Sequence, residues 1–269
     1  MLVPLYGDRE AAVIADWVME ALSGKKKIDR LMIRKESLSA AELAAYEQYS
    51  RELLAQRPVQ YVLGESWFAG MKFFVDERVL IPRPETEELV DWVASAAGAD
   101  GGLLDVGTGS GCIAVSLARR LAGVSVYACD ISGGALEVAR KNATDLGASV
   151  SFYTLNFLDD RQWASLPPIR WLVSNPPYIP AAESRSMASH VIDFEPRTAL
   201  FVPDDDVLVF YRALGEFARQ RLESGGAFFA EIHEEMASPV RRLLTSLGAR
   251  EVMLRKDLQG KDRMIKATW

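Results

Sequence analysis

The chain has 269 residues, 49% of them hydrophobic and 25% charged, with a formal net charge of −6. That length exceeds one average domain and can bury a sizeable core, and its scattered basic residues argue against a protein whose direct partner is nucleic acid. The first ten residues carry Asp8, Arg9 and Glu10 rather than a signal-type apolar core, and no apolar run approaches a bilayer span, so a cytoplasmic location without a membrane partner is expected.

The chain opens with helical patterns from Arg9 to Leu22, near Ile28 to Ile33, and from Ser39 to Leu54, where Ser39 and Glu42 have capping-box spacing. Lys25-Lys-Lys27, the one tight basic cluster, reads as a solvated turn between helices, with a phosphate-contact patch as the alternative. No catalytic constellation occurs here. A small N-terminal helical domain over 1–64 is expected either to grip a protein partner or to support the rest of the fold. Ser66 to Val75 alternates around Gly70 as a hairpin does, which makes 65–78 a hairpin linker and leaves 79–269 as the catalytic domain.

From Glu87 onward strands and helices alternate. Strands are expected near 102–106, 124–129, 149–154, 169–174, 226–232, 249–255 and 262–268, and helices over 87–97, 112–122, 133–146, 206–222 and 235–247. This is α/β patterning, a parallel sheet covered on both faces. Only a turn around Gln259-Gly260 separates the last two strands, so one of them runs antiparallel at the sheet edge.

The first chemical signal is Leu103-Leu-Asp105-Val-Gly107-Thr108-Gly109-Ser110-Gly111-Cys112, a buried strand opening into a glycine turn and then a helix. Such turns bring backbone close to nucleoside-bearing ligands. The dinucleotide fingerprint G-x-G-x-x-G is not met, because its third glycine position holds Cys112. Asp105 places a carboxylate beside the turn, where a pyrophosphate would be repelled and an amino-acid ammonium attracted. The pocket therefore suits S-adenosylmethionine. Asp130, at the end of the next strand, can accept from both ribose hydroxyls; its alternative role is an N-cap for the helix starting near Gly133.

The second signal is Asn175-Pro176-Pro177-Tyr178 at the end of the run Ile169 to Ser174. The prolines stiffen the exit from the strand. The Asn175 side-chain oxygen and the Pro176 carbonyl can then accept both N–H bonds of one planar amino group, with the Tyr178 ring over its face. The alternative is a plain strand-to-loop exit. The long connection from Ile179 to Asp205 shows little periodicity and is expected to close over a substrate, with Glu195 and Arg197 either ordering that cover or contacting the partner. Cys112 and Cys129 read as small core residues. His190 and His233 lack any partner spacing for zinc or a triad, and no metal is called for.

Taken together, these segments resemble the class I, Rossmann-like S-adenosylmethionine-dependent methyltransferases, and more narrowly the family that methylates the glutamine of peptide-chain release factors. The narrower resemblance lies in Arg57-Pro-Val-Gln-Tyr-Val-Leu-Gly64, Phe68-Ala-Gly70, Val79-Leu-Ile-Pro82-Arg83-Pro84-Glu85-Thr86-Glu87, Glu195-Pro196-Arg197-Thr198-Ala199-Leu200 and Asp257 to Arg263. It implies a seven-stranded sheet with an antiparallel edge strand and transfer of a methyl group to the N5 nitrogen of a release-factor glutamine. It also implies that Gly107 to Gly111 face the methionine part of the cofactor, that Asp130 binds ribose and Phe157 the adenine, that Asn175 touches cofactor and substrate, and that Pro176, Pro177 and Tyr178 complete the glutamine site. The sequence departs from the family's pattern at Asn156, at Val202-Pro203-Asp-Asp-Asp206 and at Ile232-His233-Glu-Glu-Met236.

Three other functions fit parts of the pattern. An adenine-N6 or cytosine-N4 methyltransferase would offer a flipped base to the same acceptors but lacks a basic groove here. A nicotinamide-dependent oxidoreductase is disfavoured by the glycine spacing and by Asp105. A binding protein with a relic cofactor pocket is disfavoured by the intact Asn175 to Tyr178.

Overall fold

The computed structural model describes residues 1–32, 37–98, 100–186 and 189–269, without the side chains of 185, 186 and 189. The chain divides into two compact units. The first comprises Met1–Glu65 together with a short later helix, and the second holds the rest.

In the first unit, α1 (Val3–Ser23) is broken at Gly7, whose φ of 71° and ψ of 169° are non-helical, so the regular helix starts after it. The helix stops where Gly24 adopts the left-handed conformation and donates its N–H to the Glu20 carbonyl. A one-turn α2 (Lys27–Arg30) follows; the remainder of the helix expected near 28–33 reaches Ile33, outside the described residues. Ahead of α3 (Ala40–Leu54), Ser39 and Glu42 satisfy each other's backbone N–H groups in the expected capping box. The sequence reading passed over α4 (Val59–Leu63), a five-residue helix behind Pro58. Ile14, Val18, Leu53, Val59 and Val62 form this unit's own small core.

The second unit begins with a hairpin, β1 (Ser66–Phe68) and β2 (Met71–Phe73). Ala69 and Gly70 both have positive φ, as a two-residue type I′ turn demands. The hairpin is not a free linker, because Phe68 and Phe73 are fully buried in the second unit's core. After α5 (Pro84–Ala96) come β3 (Gly102–Val106), α6 (Cys112–Arg120), β4 (Ser125–Asp130), α7 (Gly133–Asp145), β5 (Val150–Thr154) and β6 (Ile169–Ser174). The connection expected to lack pattern holds β7 (Ile179–Pro180), α8 (Ser189–Phe194), which belongs to the first unit, α9 (Arg197–Leu200) and β8 (Phe201–Val202). The chain ends with α10 (Val209–Arg221), β9 (Leu222–Glu231), α11 (Ala237–Ser246), β10 (Glu251–Lys256) and β11 (Asp262–Thr268).

The central sheet has the order β10-β11-β9-β6-β3-β4-β5. β3, β4, β5, β6 and β9 pair in parallel, while β11 runs antiparallel to both β9 and the edge strand β10. Side chains alternate between the two faces. Leu104, Val106, Leu172, Phe228 and Ala230 pack with α10 and α11 on one face, and Leu103, Trp171, Val173, Ala227 and Phe229 with α5 and α6 on the other. Burying each of the larger aliphatic and aromatic side chains among them contributes roughly 1.5–3 kcal/mol. That is what holds the carboxyl ends of the strands in register. β7 and β8 form a separate two-stranded parallel pair, Ile179 opposite Phe201, so the segment after the two prolines is fastened rather than loose.

Candidate active site

A cavity of about 390 Å³ opens at the carboxyl ends of β3, β4 and β6. Ligands of open α/β sheets bind there, where successive connections leave the sheet in opposite directions. Its walls include Val79, Leu80, Gly107, Gly109, Asp130, Phe157, Asn175, Pro176, Thr198 and Phe201.

The glycine turn is shaped by backbone conformation. Gly107 and Gly109 have φ of 71° and 53°, and a Cβ on either would meet no atom within 4 Å, so the turn presents bare backbone to open space. The N–H groups of Gly107 and Thr108 are tied to the Cys129 carbonyl at 2.9 and 3.1 Å. Gly111 has a different task, since a Cβ there would lie 3.1 Å from that of Ala139; it allows α6 and α7 to pack closely. Thr108 and Ser110 are buried and, like Gly111, lie outside the cavity wall.

Asp105 corrects the sequence reading. Its carboxylate is wholly buried and outside the cavity wall. Oδ2 accepts from the Thr108 hydroxyl at 2.6 Å and the Ala114 N–H at 3.2 Å, while Oδ1 has no hydrogen-bond partner among the described residues. Between Leu104 and Val106, Asp105 points under the turn toward α6, where the Ala114 N–H meets it. Burial, with the nearby negative charge of Asp130, pushes its pKa up to about 7. Asp105 therefore braces the turn instead of attracting an ammonium group.

Asp130 lines the cavity. Its oxygens accept from the Gly109 N–H and the Ser132 N–H, both at 2.9 Å, and the carboxylate retains acceptor capacity for a hydroxyl. The N-cap of α7 is Ser132, which accepts from Ala135, so Asp130 is not occupied by capping. Burial raises its pKa. Phe157 also lines the cavity, but its ring belongs to a cluster with Trp163 and Phe217 at centroid distances of 5.5 and 5.3 Å. Beside it, Asn156 spends its side-chain oxygen on the Leu158 N–H at 3.1 Å.

Asn175 sits at the end of β6 and lines the cavity with Pro176 and Pro177. The Ser174 hydroxyl, 2.8 Å from the Val106 carbonyl, pins this strand end to β3. The Asn175 amide donates through Nδ2 to the Thr86 hydroxyl at 3.1 Å, and Thr86 donates to Glu231 Oε2 at 2.6 Å. Tyr178 departs from expectation. It lies outside the cavity wall; its hydroxyl donates to Glu231 Oε1 at 3.4 Å and its ring lies 5.9 Å from His233. The buried carboxylate has drawn the phenol inward, and burial beside that charge raises the phenol's pKa.

Glu195 is nearly fully buried, both its oxygens accepting from Arg83 Nη2 at 2.7 and 2.8 Å. The pair ties the approach to α5 to the segment carrying Pro196, Thr198 and Phe201. Arg197 lies over the Phe201 ring at 4.8 Å. Pro196, Thr198, Ala199, Phe201 and Pro203 on the cavity wall fall within the connection expected to close over a substrate, whereas Thr86, Glu231 and the wall from 78–80 are features to which the sequence reading gave no role. Its available signals were a charged residue closing the apolar run 227–230 and the conspicuous Val79-Leu-Ile-Pro82 segment. Among the described residues, no group of His, Cys, Asp and Glu is arranged to hold a metal, and no helix is long and apolar enough to cross a membrane.

Comparison with known proteins gives consistent results. Residues 85–200 match the family model for the methyltransferase small domain, and residues 6–64 that for the PrmC N-terminal domain. The release factor glutamine methyltransferase of Flavobacterium psychrophilum is 37% identical, covering 100% of this chain and 95% of that protein. Those of Bacteroides thetaiotaomicron and Chlorobaculum tepidum are 39% and 40% identical, covering 99% and 94% of this chain and 95% and 89% of theirs. Among solved structures, the hMettl16 catalytic domain in complex with MAT2A 3'UTR hairpin 6 superposes with a TM-score of 0.59 at 18% identity, covering 74% of this chain and 75% of that one. At that identity the likeness concerns the fold alone.

Proposed function

Since this chain belongs to the release factor glutamine methyltransferase family, we propose that the cavity binds S-adenosylmethionine against Gly107, Gly109 and Asp130, and that Asn175 and Pro176 present a release-factor glutamine to it. The residues fit that cofactor: bare glycine backbone leaves room for a chain, and Asp130 retains acceptor capacity for ribose. Phe157 and Leu158 offer apolar surface on the same wall. When bound, S-adenosylmethionine supplies an electrophilic methyl group.

The protein's own task is orientation. A glutamine amide nitrogen is a weak nucleophile because its lone pair is shared with the carbonyl. Accepting both its N–H bonds, through Asn175 Oδ1 and the Pro176 carbonyl, holds the nitrogen in one place and returns electron density to it as it reacts. Positioning of this kind is worth roughly 7–11 kcal/mol in favourable cases. Pro176 and Pro177 pre-order the acceptors, and Tyr178, anchored on Glu231, holds the end of the same turn. The N–H proton becomes acidic as the nitrogen is alkylated and leaves to a neighbouring acceptor or water, so no strong base is needed. The helical unit, which matches a domain model of this family over 6–64, serves in this reading to grip the release factor, and the work is done in the cytoplasm without direct nucleic-acid contact.

The single observation behind this reading is the Asn175 amide, held by its nitrogen at Thr86 on the wall shared with Gly107 and Asp130. The test incubates the protein with labelled S-adenosylmethionine and, in parallel, a release factor, duplex DNA and RNA, then maps the label by mass spectrometry. Label is expected on a glutamine side-chain nitrogen of the release factor; label on a base would refute the assignment. Asn175→Ala is expected to lower turnover by about 10²–10³-fold, as for loss of one preorganised polar contact, and parent-level turnover would remove Asn175 from the site.

A further inference from the structure

Three polar side chains from distant parts of the chain meet behind the cavity wall. Thr86 lies in the first turn of α5, Asn175 at the end of β6 and Glu231 at the end of β9; Thr86 and Glu231 are 2% exposed. Strand parity places Asn175 with Val173 and Glu231 with Phe229, on the face covered by α5. The Tyr178 hydroxyl reaches the same carboxylate, and the Tyr211 hydroxyl donates to the Glu231 carbonyl at 3.0 Å. A buried carboxylate is costly unless hydrogen-bonded, and here two hydroxyls supply its bonds.

We propose that Glu231, acting through Thr86, fixes which edge of the Asn175 amide faces the cavity, making both of them positioning residues for the methyl transfer. The argument follows the protons. Ionised Glu231 only accepts, and Thr86 has one hydroxyl proton, which goes to Glu231 Oε2. The Thr86 oxygen is then left as an acceptor toward Asn175, and the amide satisfies it with Nδ2–H. The other edge, carrying Oδ1, takes no hydrogen bond among the described residues and is available to the substrate N–H. An asparagine free to turn by 180° would offer its NH₂ edge half the time, setting donor against donor. Burial raises the Glu231 pKa, with the Thr86 bond opposing that rise, so the network itself helps keep the acceptor-only form.

This inference rests on the role proposed for Asn175, and the test separates the two. Thr86→Val removes the hydroxyl at nearly constant volume; Thr86→Ser keeps it. Turnover on the release factor is measured under single-turnover conditions with a labelled methyl group, and cofactor affinity by calorimetry. T86V is expected to lose about 10–100-fold in rate with cofactor affinity unchanged, T86S to stay within about threefold of the parent, and T86V to add little in an N175A background. Should T86V melt below the assay temperature, Glu231→Gln carries the same test, because its amide can donate to Thr86 and release the hydroxyl proton toward Asn175. T86V at the parent rate, an equal cost with and without Asn175, or a parallel loss of cofactor affinity overturns the inference. Parent-level turnover of N175A alone overturns instead the role given to Asn175.

Discussion

Substituting Asp105 by asparagine tests how the glycine turn is braced. The carboxylate is wholly buried, one oxygen bonded to Thr108 and Ala114 and the other without a hydrogen-bond partner among the described residues. Burial, with the charge of Asp130 beside it, lifts its pKa from an ordinary 3.8 to about 7. Between those values the folded protein keeps a proton that the unfolded chain has released, so the folded state binds more protons and stability falls as pH rises across that window. The full difference corresponds to about 4 kcal/mol, reached above pH 7. A side-chain amide carries no charge and keeps an oxygen for the Thr108 and Ala114 donors, so Asp105→Asn should remove this fall while preserving the turn. Urea unfolding of the ligand-free protein at intervals from pH 4 to pH 8 measures it. Relative to the parent, the variant should gain stability with rising pH, by up to about 4 kcal/mol over the series. Titrating groups that do not interact with Asp105 cancel in the comparison, Asp130 being the neighbour whose charge is coupled to it, and parallel curves for the two proteins would refute the reasoning.

Asp130→Ala removes the acceptor for the Gly109 and Ser132 N–H groups together with the carboxylate's remaining acceptor capacity at the cavity; S-adenosylmethionine affinity should fall by about 10-fold or more, at about 1.5–3 kcal/mol for hydrogen bonds to a charged group, and calorimetry showing parent affinity would exclude the ribose role. Glu195→Ala leaves Arg83 without its bidentate acceptor and frees the segment from Pro196 to Phe201; because Arg83 is about a third exposed and regains water, the loss should be about 1.5–3 kcal/mol, and an unchanged urea midpoint would show that the pair contributes nothing.

Much of the second unit could be read from pattern, because its strands are continuous apolar runs and its helices end at glycines or charges. The expected strand 226–232 begins earlier, at Leu222, because the ladder shifts register between Ile169 and Trp171, and no periodicity in Glu223-Ser-Gly-Gly226 signals that. The elements between Ile179 and Val202 escaped because strands of two residues and helices of four and six are too short to repeat a hydrophobic period often enough to be recognised. At the site, Gly107, Gly109, Asp130 and Asn175 were legible as residue types at strand ends. Asp105 was expected at the cavity but lies under the turn, bonded to Thr108 and Ala114; the alternation Leu104-Asp105-Val106 does not disclose this, because it leaves open which face meets the cavity. The pairing of Thr86 with Glu231 was not legible, since their hydrogen bond spans 145 positions and a lone polar residue ending an apolar run ordinarily reads as surface.

Where the cavity lies and what it holds have separate causes. From β3 the chain passes to β4 on one side of the sheet and later returns to β6 on the other, and that reversal opens a crevice whatever residues line it. The same sheet therefore serves a protein solved on an RNA hairpin, and the fold alone cannot tell a base amine from a glutamine amide, since both offer two N–H bonds to an acceptor pair. Discrimination must come from what surrounds the acceptors. A flipped base arrives with a polyanion that needs a basic channel; here the chain is net acidic, and Arg83 is engaged with Glu195 and Arg78, on the cavity wall, with Asp76 and Glu137. A neutral side-chain amide carried on a protein needs only the acceptor pair and a pre-ordered turn, to which the two prolines and the Ser174 bond to Val106 contribute.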